Sequence, residues 1–264
     1  MQKRGQITTF IIIGIMILAI VALFLFLRQD ASPIEKQRVP SEVGPVSGFV
    51  ENCLQRIGEE GIITNSLRGG YYKNFDSQKV QLPGLNFVPV YFNGFSIFVP
   101  SDEKLRQELE LYVKDNLNKC VNNFESLAAF SVEIQGDVSI SRMIIGDEKV
   151  SIQYNYPLLV DGETIIDSFV TEHNLRLGKV MGEVRTLVAQ NQLMPDMLCL
   201  SCYIDSGVGN GLTFDTIELG EFVIIIVNDE TTRPALNFAY ALKLVSPIEE
   251  ESMLGEIVEG PESI

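Results

Sequence analysis

The segment GFVENCLQRIGEEGI, residues 48–62, has the apolar spacing of an amphipathic helix. Its apolar and small residues recur every three or four positions and share one helical face; they are Val50, Cys53, Leu54, Ile57, Gly61 and Ile62. The opposite face carries Glu51, Gln55, Glu59 and Glu60. The paired glycines Gly69 and Gly70 permit a left-handed turn that ends the helix. Such a helix must bury its apolar face, so its neighbours along the chain decide the fold.

Two further helices are predicted downstream. Pro100-Ser101 opens the first, and Asp102 and Glu103 suit the positive end of a helix. Its apolar stripe consists of Leu105, Leu109, Tyr112, Val113, Leu117, Cys120 and Phe124. The next helix is GKVMGEVRTLVAQNQL, residues 178–193, with Val180, Val184, Leu187 and Val188 directed inward.

Between these helices the apolar period falls to two, which indicates strands. The segments SVEIQGDVSISRMII (131–145) and KVSIQYNYPLLVDGETIID (149–167) show this pattern, and Asp161-Gly162 is a typical hairpin turn. Two more strands are predicted over 222–227 and 236–245. The order predicts an α+β domain over residues 49–247, with helices on one face of a mainly antiparallel sheet, followed by an acidic tail over 248–264.

The N-terminal run KRGQITTFIIIGIMILAIVALFLFLR, residues 3–28, predicts a transmembrane helix over 6–28. Residues 7–27 carry no charge and as a helix reach about 31 Å, enough to cross the hydrocarbon core of a lipid bilayer. A cleavable secretory signal has a shorter apolar region of about 7–15 residues. We therefore expect a signal-anchor that is retained and contacts lipid through residues 7–27, followed by a Pro-containing linker over 29–48.

The charges beside this run predict its orientation. Lys3 and Arg4 precede it, whereas Arg28 is soon followed by Asp30. The positive-inside rule then gives a short cytoplasmic tip, residues 1–5, and an extracellular body. The sequence thus predicts a single-pass protein of the cell membrane.

The residues Lys3-Arg4-Gly5-Gln6 before an apolar helix resemble the class III signal of archaeal type IV pilin-like proteins. The resemblance implies cleavage between Gly5 and Gln6, and Phe10 stands where that family usually has Glu. The opening is also similar to that of uncharacterised archaeal membrane-anchored proteins that begin KKGQ-x-T-x-F-III. Their FVExC-type and GGY-type stretches resemble 49–53 and 69–71 here, and the group brings no known activity.

The chain has 35 acidic and 20 basic residues and a net charge of −15. Such a surface repels phosphate backbones, so nucleic-acid binding is disfavoured. Among the four cysteines, Cys53 and Cys120 both lie on apolar helical stripes. A disulfide between them is favoured over two buried free thiols.

The motif Cys199-Leu200-Ser201-Cys202 is compatible with several chemistries. A CxxC pair exchanges electrons when a helix N-terminus activates its first thiol, and it also forms half of some zinc sites. The flanking residues predict a loop instead of a helix, which favours a structural disulfide. Thiol-disulfide redox activity, a pair of free thiols and metal binding remain as alternatives.

Other candidate sites have simpler explanations. His173 is the single histidine, which excludes a histidine-based metal cluster, and we expect a half-exposed strand residue. The stretch 207–211 is glycine-rich but lacks the Lys-Ser/Thr of a phosphate loop, so we expect a flexible loop. Tyr71, Tyr91 and Phe95 belong to an aromatic region that is expected to be buried and that would bind a small ligand if exposed.

No catalytic constellation, cofactor site or metal site is predicted. The favoured function is a structural, adhesive or protein-binding role in a membrane-anchored cell-surface protein, with other surface proteins or further copies of the chain as partners. One alternative is a pilin-like filament subunit. The other is a membrane-anchored thiol-disulfide oxidoreductase that uses Cys199 and Cys202.

Overall fold

The structure of the chain is a computed structural model that describes residues 13–19, 40–82 and 85–245. The chain divides into two compact units, residues 1–35 and 36–264. In the first unit only 13–19 are described, and these residues are helical. The second unit is an α+β domain.

Helix α1 spans Gly44–Ser66 and contains the amphipathic segment 48–62. Every residue of the predicted apolar stripe is buried in it, from Val50 to Ile62. The helix includes the last five residues of the predicted linker, 44–48, because Pro45 occupies its first turn, where a proline costs no hydrogen bond. Gly69 and Gly70 both have positive φ, and the Gly70 N–H donates to the carbonyl of Asn65 at 2.7 Å, which closes the helix end.

The remaining helices are α2 (Asp102–Val121), α3 (Leu177–Leu193) and α4 (Leu200–Asn210). The predicted start of α2 is correct. The Ser101 hydroxyl caps it by accepting from the Lys104 N–H at 3.2 Å. The inward residues predicted for α3 are all buried.

Nine strands form two sheets in the described part of the chain. They are β1 (Lys79–Leu82), β2 (Leu85–Phe92), β3 (Val132–Ile134), β4 (Ser139–Ile145), β5 (Val150–Val160), β6 (Thr164–His173), β7 (Thr213–Leu219), β8 (Phe222–Asp229) and β9 (Leu236–Lys243). The larger sheet has the order β1-β2-β9-β8-β7, in which β2 and β9 are parallel and the other pairs antiparallel. In the smaller sheet, β5 pairs with β6 on one edge and with β3 and β4 on the other.

This arrangement corrects the expectation of one sheet with helices on one face. Helix α1 contacts β6 of the smaller sheet, β9 of the larger sheet, and α2. One hydrophobic core includes side chains from α1, α2, α3 and both sheets. The apolar face of α1 is therefore the element that holds the two sheets in one domain.

The transmembrane prediction is contradicted. Within the described residues no helix is both long enough and apolar enough to cross a bilayer. The single-pass signal-anchor and the cell-membrane localisation depended on the predicted span 6–28 and are corrected with it. The lipid contact through 7–27 stays a prediction. Apart from 13–19, the span 6–28 lies outside the described residues.

Helices α1 and α2 are joined by a disulfide between Cys53 and Cys120. Further along the same two helices, Gly61 allows their close approach, because a Cβ there would lie 2.6 Å from Leu109 Cδ1 and would displace that side chain. The buried carboxylate of Glu108 adds a second connection, since its Oε2 accepts the N–H groups of residues 72–74 at 2.9–3.2 Å. Helix α2 therefore fixes both α1 and the chain that leaves it.

We expect the Cys53→Ser/Cys120→Ser variant to lose about 4 kcal/mol of unfolding free energy, because the disulfide closes a loop between residues 67 positions apart. The matched control is Cys199→Ser/Cys202→Ser, whose disulfide joins residues only 3 positions apart and for which the same relation gives about 2 kcal/mol. Urea unfolding without reductant measures both. Equal losses in the two variants would contradict this assignment.

Candidate functional site

The CxxC motif lies at the start of helix α4. Cys199 is the N-cap residue, the helix begins at Leu200, and Cys199 and Cys202 form a disulfide across the first turn. The expected loop context is thus wrong for the residues that follow Cys199. The glycine-rich stretch 207–211 is also not a loop, since α4 continues to Asn210.

The inner face of α4 is packed on the larger sheet through Tyr203. Its ring meets that of Phe214 edge to face at 5.3 Å, and its hydroxyl lies 3.2 Å from both the Asn191 amide nitrogen and the Tyr240 hydroxyl. Burial raises the pKa of Tyr203, so this hydroxyl stays protonated. One turn later Gly207 lies against the chain that follows the helix, where a Cβ would be 2.6 Å from the Leu212 carbonyl oxygen.

The C-terminal end of α4 is held by Arg176. Its guanidinium donates to the Asn210 carbonyl at 2.6 Å, and its Nε lies 3.1 Å from Oδ2 of the fully buried Asp229. Gly211, at φ 67°, then ends the helix in the left-handed conformation. With the disulfide at one end and Arg176 at the other, both ends of α4 are fixed.

The outer face of α4 carries a row of exposed apolar side chains. Leu200, Ile204 and Val208 follow one another at intervals of four residues and are 59%, 64% and 84% exposed. Leu193 and Met197, just before the helix, are also exposed. We call Leu200, Ile204 and Val208 the α4 ridge. Contiguous exposed apolar surface of this kind is typical of sites that bind another macromolecule.

The disulfide at the base of the α4 ridge is partly exposed. Cys199 and Cys202 are both half-buried, and the Ser201 hydroxyl lies 3.5 Å from Cys199 Sγ. In the reduced pair, the N-terminal amides of the helix and this hydroxyl would stabilise a thiolate at Cys199. The geometry is therefore compatible with thiol chemistry as well as with a structural staple.

His173 is fully buried, which corrects the expected half-exposed position. Gln55 Nε2 lies 3.2 Å from its Nδ1, and Thr171 Oγ1 lies 2.8 Å from its Nε2. Because the amide of Gln55 donates to Nδ1, the ring is neutral and its Nε2–H donates to Thr171. Both nitrogens are occupied, so His173 is a structural residue of the α1–β6 contact.

The aromatic region does not form an open cleft. Tyr71 and Tyr91 are fully buried, and Tyr91 stacks on Tyr240 at 5.1 Å, whereas Phe95 is exposed. The space that a small ligand would need is filled by side chains. Across residues 13–19, 40–82 and 85–245, no three His, Cys, Asp or Glu side chains converge as metal ligands. Gly5 and Gln6, the predicted processing residues, lie outside the described residues.

Sequence reasoning missed the α4 ridge, although its signal was present. Leu200, Ile204 and Val208 have helical spacing, but the glycines at 207, 209 and 211 indicated a loop. Comparison of the chain with protein-family models, with curated proteins and with solved structures finds no match. The candidate site is therefore defined by its geometry alone.

The single histidine gives the stability of the protein a defined pH dependence. Burial lowers the pKa of His173 to about 4, against an ordinary value near 6.5. Below pH 6.5 the imidazole of His173 binds a proton in the unfolded chain but not in the folded chain. The free energy of unfolding therefore falls as the pH decreases from 6.5 towards 4. Between pH 7.5 and pH 5 we expect a loss of about 2 kcal/mol, measured by urea unfolding.

The His173→Gln variant is the control. The readout is how its free energy of unfolding changes with pH, not the absolute value of that free energy. It should lack the loss between pH 7.5 and pH 5 and keep the later acid transition of the carboxylates. An unchanged slope in His173→Gln would contradict the assignment of this titration to the buried imidazole.

Proposed function

We propose that this chain is a protein-binding module whose contact surface is the α4 ridge. The observation that carries the proposal is the row of Leu200, Ile204 and Val208, exposed on a helix whose ends are both fixed. Burying such a side chain against a partner contributes roughly 1.5–3 kcal/mol. Because α4 is already rigid, little conformational entropy is lost when a partner binds.

The charge of the protein indicates the chemistry of the partner. The ridge is accompanied by the exposed carboxylates of Asp196 and Asp205, and the chain carries a net charge of −15. Two copies of the chain would repel each other, whereas a basic partner would be attracted. The proposed partner is another protein that presents an apolar surface flanked by Lys or Arg.

The proposal predicts a position-specific contact at Ile204. A photo-crosslinking amino acid at this position in the full chain, in its native host, should capture one predominant protein that is absent when the same group stands at Ile165. Ile165 is the control because it is 61% exposed, close to the 64% of Ile204, but lies on β6. With the captured protein purified, Ile204→Asp should weaken binding at least tenfold and Ile165→Asp should not.

Equal capture at both positions, or equal affinity of the two Asp variants, would contradict the proposed role of the ridge. Because Ile204 and Ile165 are both exposed, neither substitution disturbs the core. Thermal unfolding of the two variants checks this directly.

A second candidate function, thiol-disulfide exchange with a bound protein, is favoured by the position of Cys199 at a helix N-cap. A short CxxC loop contributes less stability than a long one, about 2 kcal/mol on the chain-entropy model, so a purely structural need for this disulfide is modest. The adjoining ridge would hold a protein substrate next to the sulfur atoms.

The exchange would proceed in two steps. A thiolate of the substrate attacks one sulfur of the Cys199–Cys202 disulfide, forms a mixed disulfide and releases the other cysteine as a thiolate. The second thiol of the substrate then attacks the mixed disulfide. The substrate leaves as a disulfide, and its two electrons and two protons remain on Cys199 and Cys202 as a dithiol.

This candidate predicts that Cys202→Ser traps a mixed disulfide with an oxidised substrate protein, because the free Cys199 thiolate attacks the substrate disulfide, releases one substrate cysteine as a thiolate, and has no second cysteine to resolve the product. Reductant should release the trapped species, and a further Ile204→Asp change should reduce its yield severalfold. The wild-type chain should also catalyse reduction of insulin by dithiothreitol, and Cys199→Ser/Cys202→Ser should not. If the wild-type chain and the double Ser variant are both inactive while binding through the ridge persists, the CxxC disulfide has only a structural role and the exchange candidate is rejected.

The pilin-like alternative rests on residues 3–28, of which the structure describes 13–19. No observation on the described residues bears on filament assembly, and the alternative stays a prediction. The same holds for the expectation that the protein is not an enzyme.

A further inference from the structure

Strand β7 is the outer strand of the larger sheet, and one of its edges is open. It pairs only with β8, over seven consecutive residue pairs from Thr213 to Leu219 without a bulge. Apart from Phe214, every residue of β7 is exposed. Within the described part of the chain no other backbone hydrogen bond reaches this strand. Its outward N–H and C=O groups therefore form a template for one more strand.

Two other strand edges in the described part of the chain, those of β4 and β1, are protected. At β4 the Ile140 carbonyl accepts from Arg106 at 2.6 Å, and the Ile140 N–H donates to Glu110 at 3.0 Å, so two side chains of α2 replace a neighbouring strand. At the opposite end of the larger sheet, β1 is only four residues long, begins at Lys79 and has a register irregularity. Charge, shortness and bulges are the usual protections of an edge. Strand β7 has seven residues and no bulge, and its only charges are acidic.

The side chains of β7 define what can pair with it. Asp215 and Glu218 are its only charged residues, and both are acidic and exposed. Ile217 and Leu219 are 38% and 39% exposed on the face that also carries Asp215. A complementary strand therefore has Lys or Arg opposite the two acidic residues and β-branched or other apolar residues opposite Ile217 and Leu219.

A second copy of the chain does not fit this description. Antiparallel pairing of β7 with itself about Thr216 would place Ile217 of one copy opposite Asp215 of the other. The two Asp215 carboxylates would then be diagonal neighbours on one face, and each copy adds a net charge of −15.

We propose that β7 is a strand-addition site that binds an extended basic segment of another polypeptide as an antiparallel sixth strand of the larger sheet. Backbone hydrogen bonds along the open edge would supply affinity. Lysine or arginine side chains against Asp215 and Glu218 would supply specificity. This surface is distinct from the α4 ridge, and the inference does not depend on the ridge.

Three peptides of seven residues test the proposal against the full chain, with binding measured by NMR chemical-shift titration. The first, Val-Lys-Val-Thr-Lys-Thr-Val, places Lys opposite Glu218 and Asp215 in the antiparallel register. The second has Glu at both Lys positions. The third is the first peptide with N-methyl groups on alternate amides, which removes the hydrogen bonds of one edge. We expect the second and third to bind at least tenfold more weakly than the first.

A charge exchange makes the test residue-specific. With Glu218→Lys, replacing the facing Lys of the peptide by Glu should restore binding that the original peptide loses, a change of about tenfold in each direction. Ile204→Asp on the α4 ridge is the matched control and should leave peptide binding unchanged. Failure of the ridge proposal would therefore not alter this result.

Three outcomes would overturn the inference. Equal binding of the Lys and Glu peptides would remove the charge argument, and undiminished binding of the N-methylated peptide would exclude strand addition. Sedimentation that shows a dimer of the full chain, dissociated by Ile217→Lys, would assign the open edge to a second copy.

Discussion

The burial of one helix face determines most of this structure. Helix α1 contacts α2 and a strand of each sheet, and the Cys53–Cys120 disulfide fixes it to α2. Without that apolar face the two sheets would share no core, because the described strands of the smaller sheet do not pair with those of the larger sheet. The glycines of α1 matter for the same reason. A Cβ at Gly58 would lie 2.6 Å from the Tyr154 hydroxyl oxygen, so a larger residue there would displace the Tyr154 side chain that packs against the helix.

Three buried ionisable side chains near this core have polar partners. His173 is neutral between Gln55 and Thr171, and Glu108 accepts three backbone N–H groups. The buried Asp229 lies against Arg176, and loss of either member of such a pair is costly because the other charge stays buried alone. These three buried groups are therefore explained by the fold.

The surfaces proposed to bind partners lie at the periphery and share a physical basis. Helix α4 and strand β7 are consecutive in the chain, and the Tyr203–Phe214 contact packs one on the other. Each exposes what a monomer normally protects, apolar side chains on α4 and a regular strand edge on β7. Both stand on elements that the core holds rigid, so a partner would bind surfaces that are already formed.

Periodicity alone determined α1, α2, α3 and the β5–β6 hairpin, because each buries one face and the spacing of apolar residues records it. The sequence also placed Cys53 and Cys120 on stripes that would face one another. It could not decide that the strands form two sheets, that His173 is buried, or that 200–210 is helical, since these depend on contacts between distant residues. The glycines that suggested a loop after Cys199 are needed where α4 meets Leu212 and at its left-handed end. The exposure of the α4 ridge and the open edge of β7 were decided only by the tertiary structure, because a sequence lists apolar residues and strands without showing which of them the fold leaves uncovered.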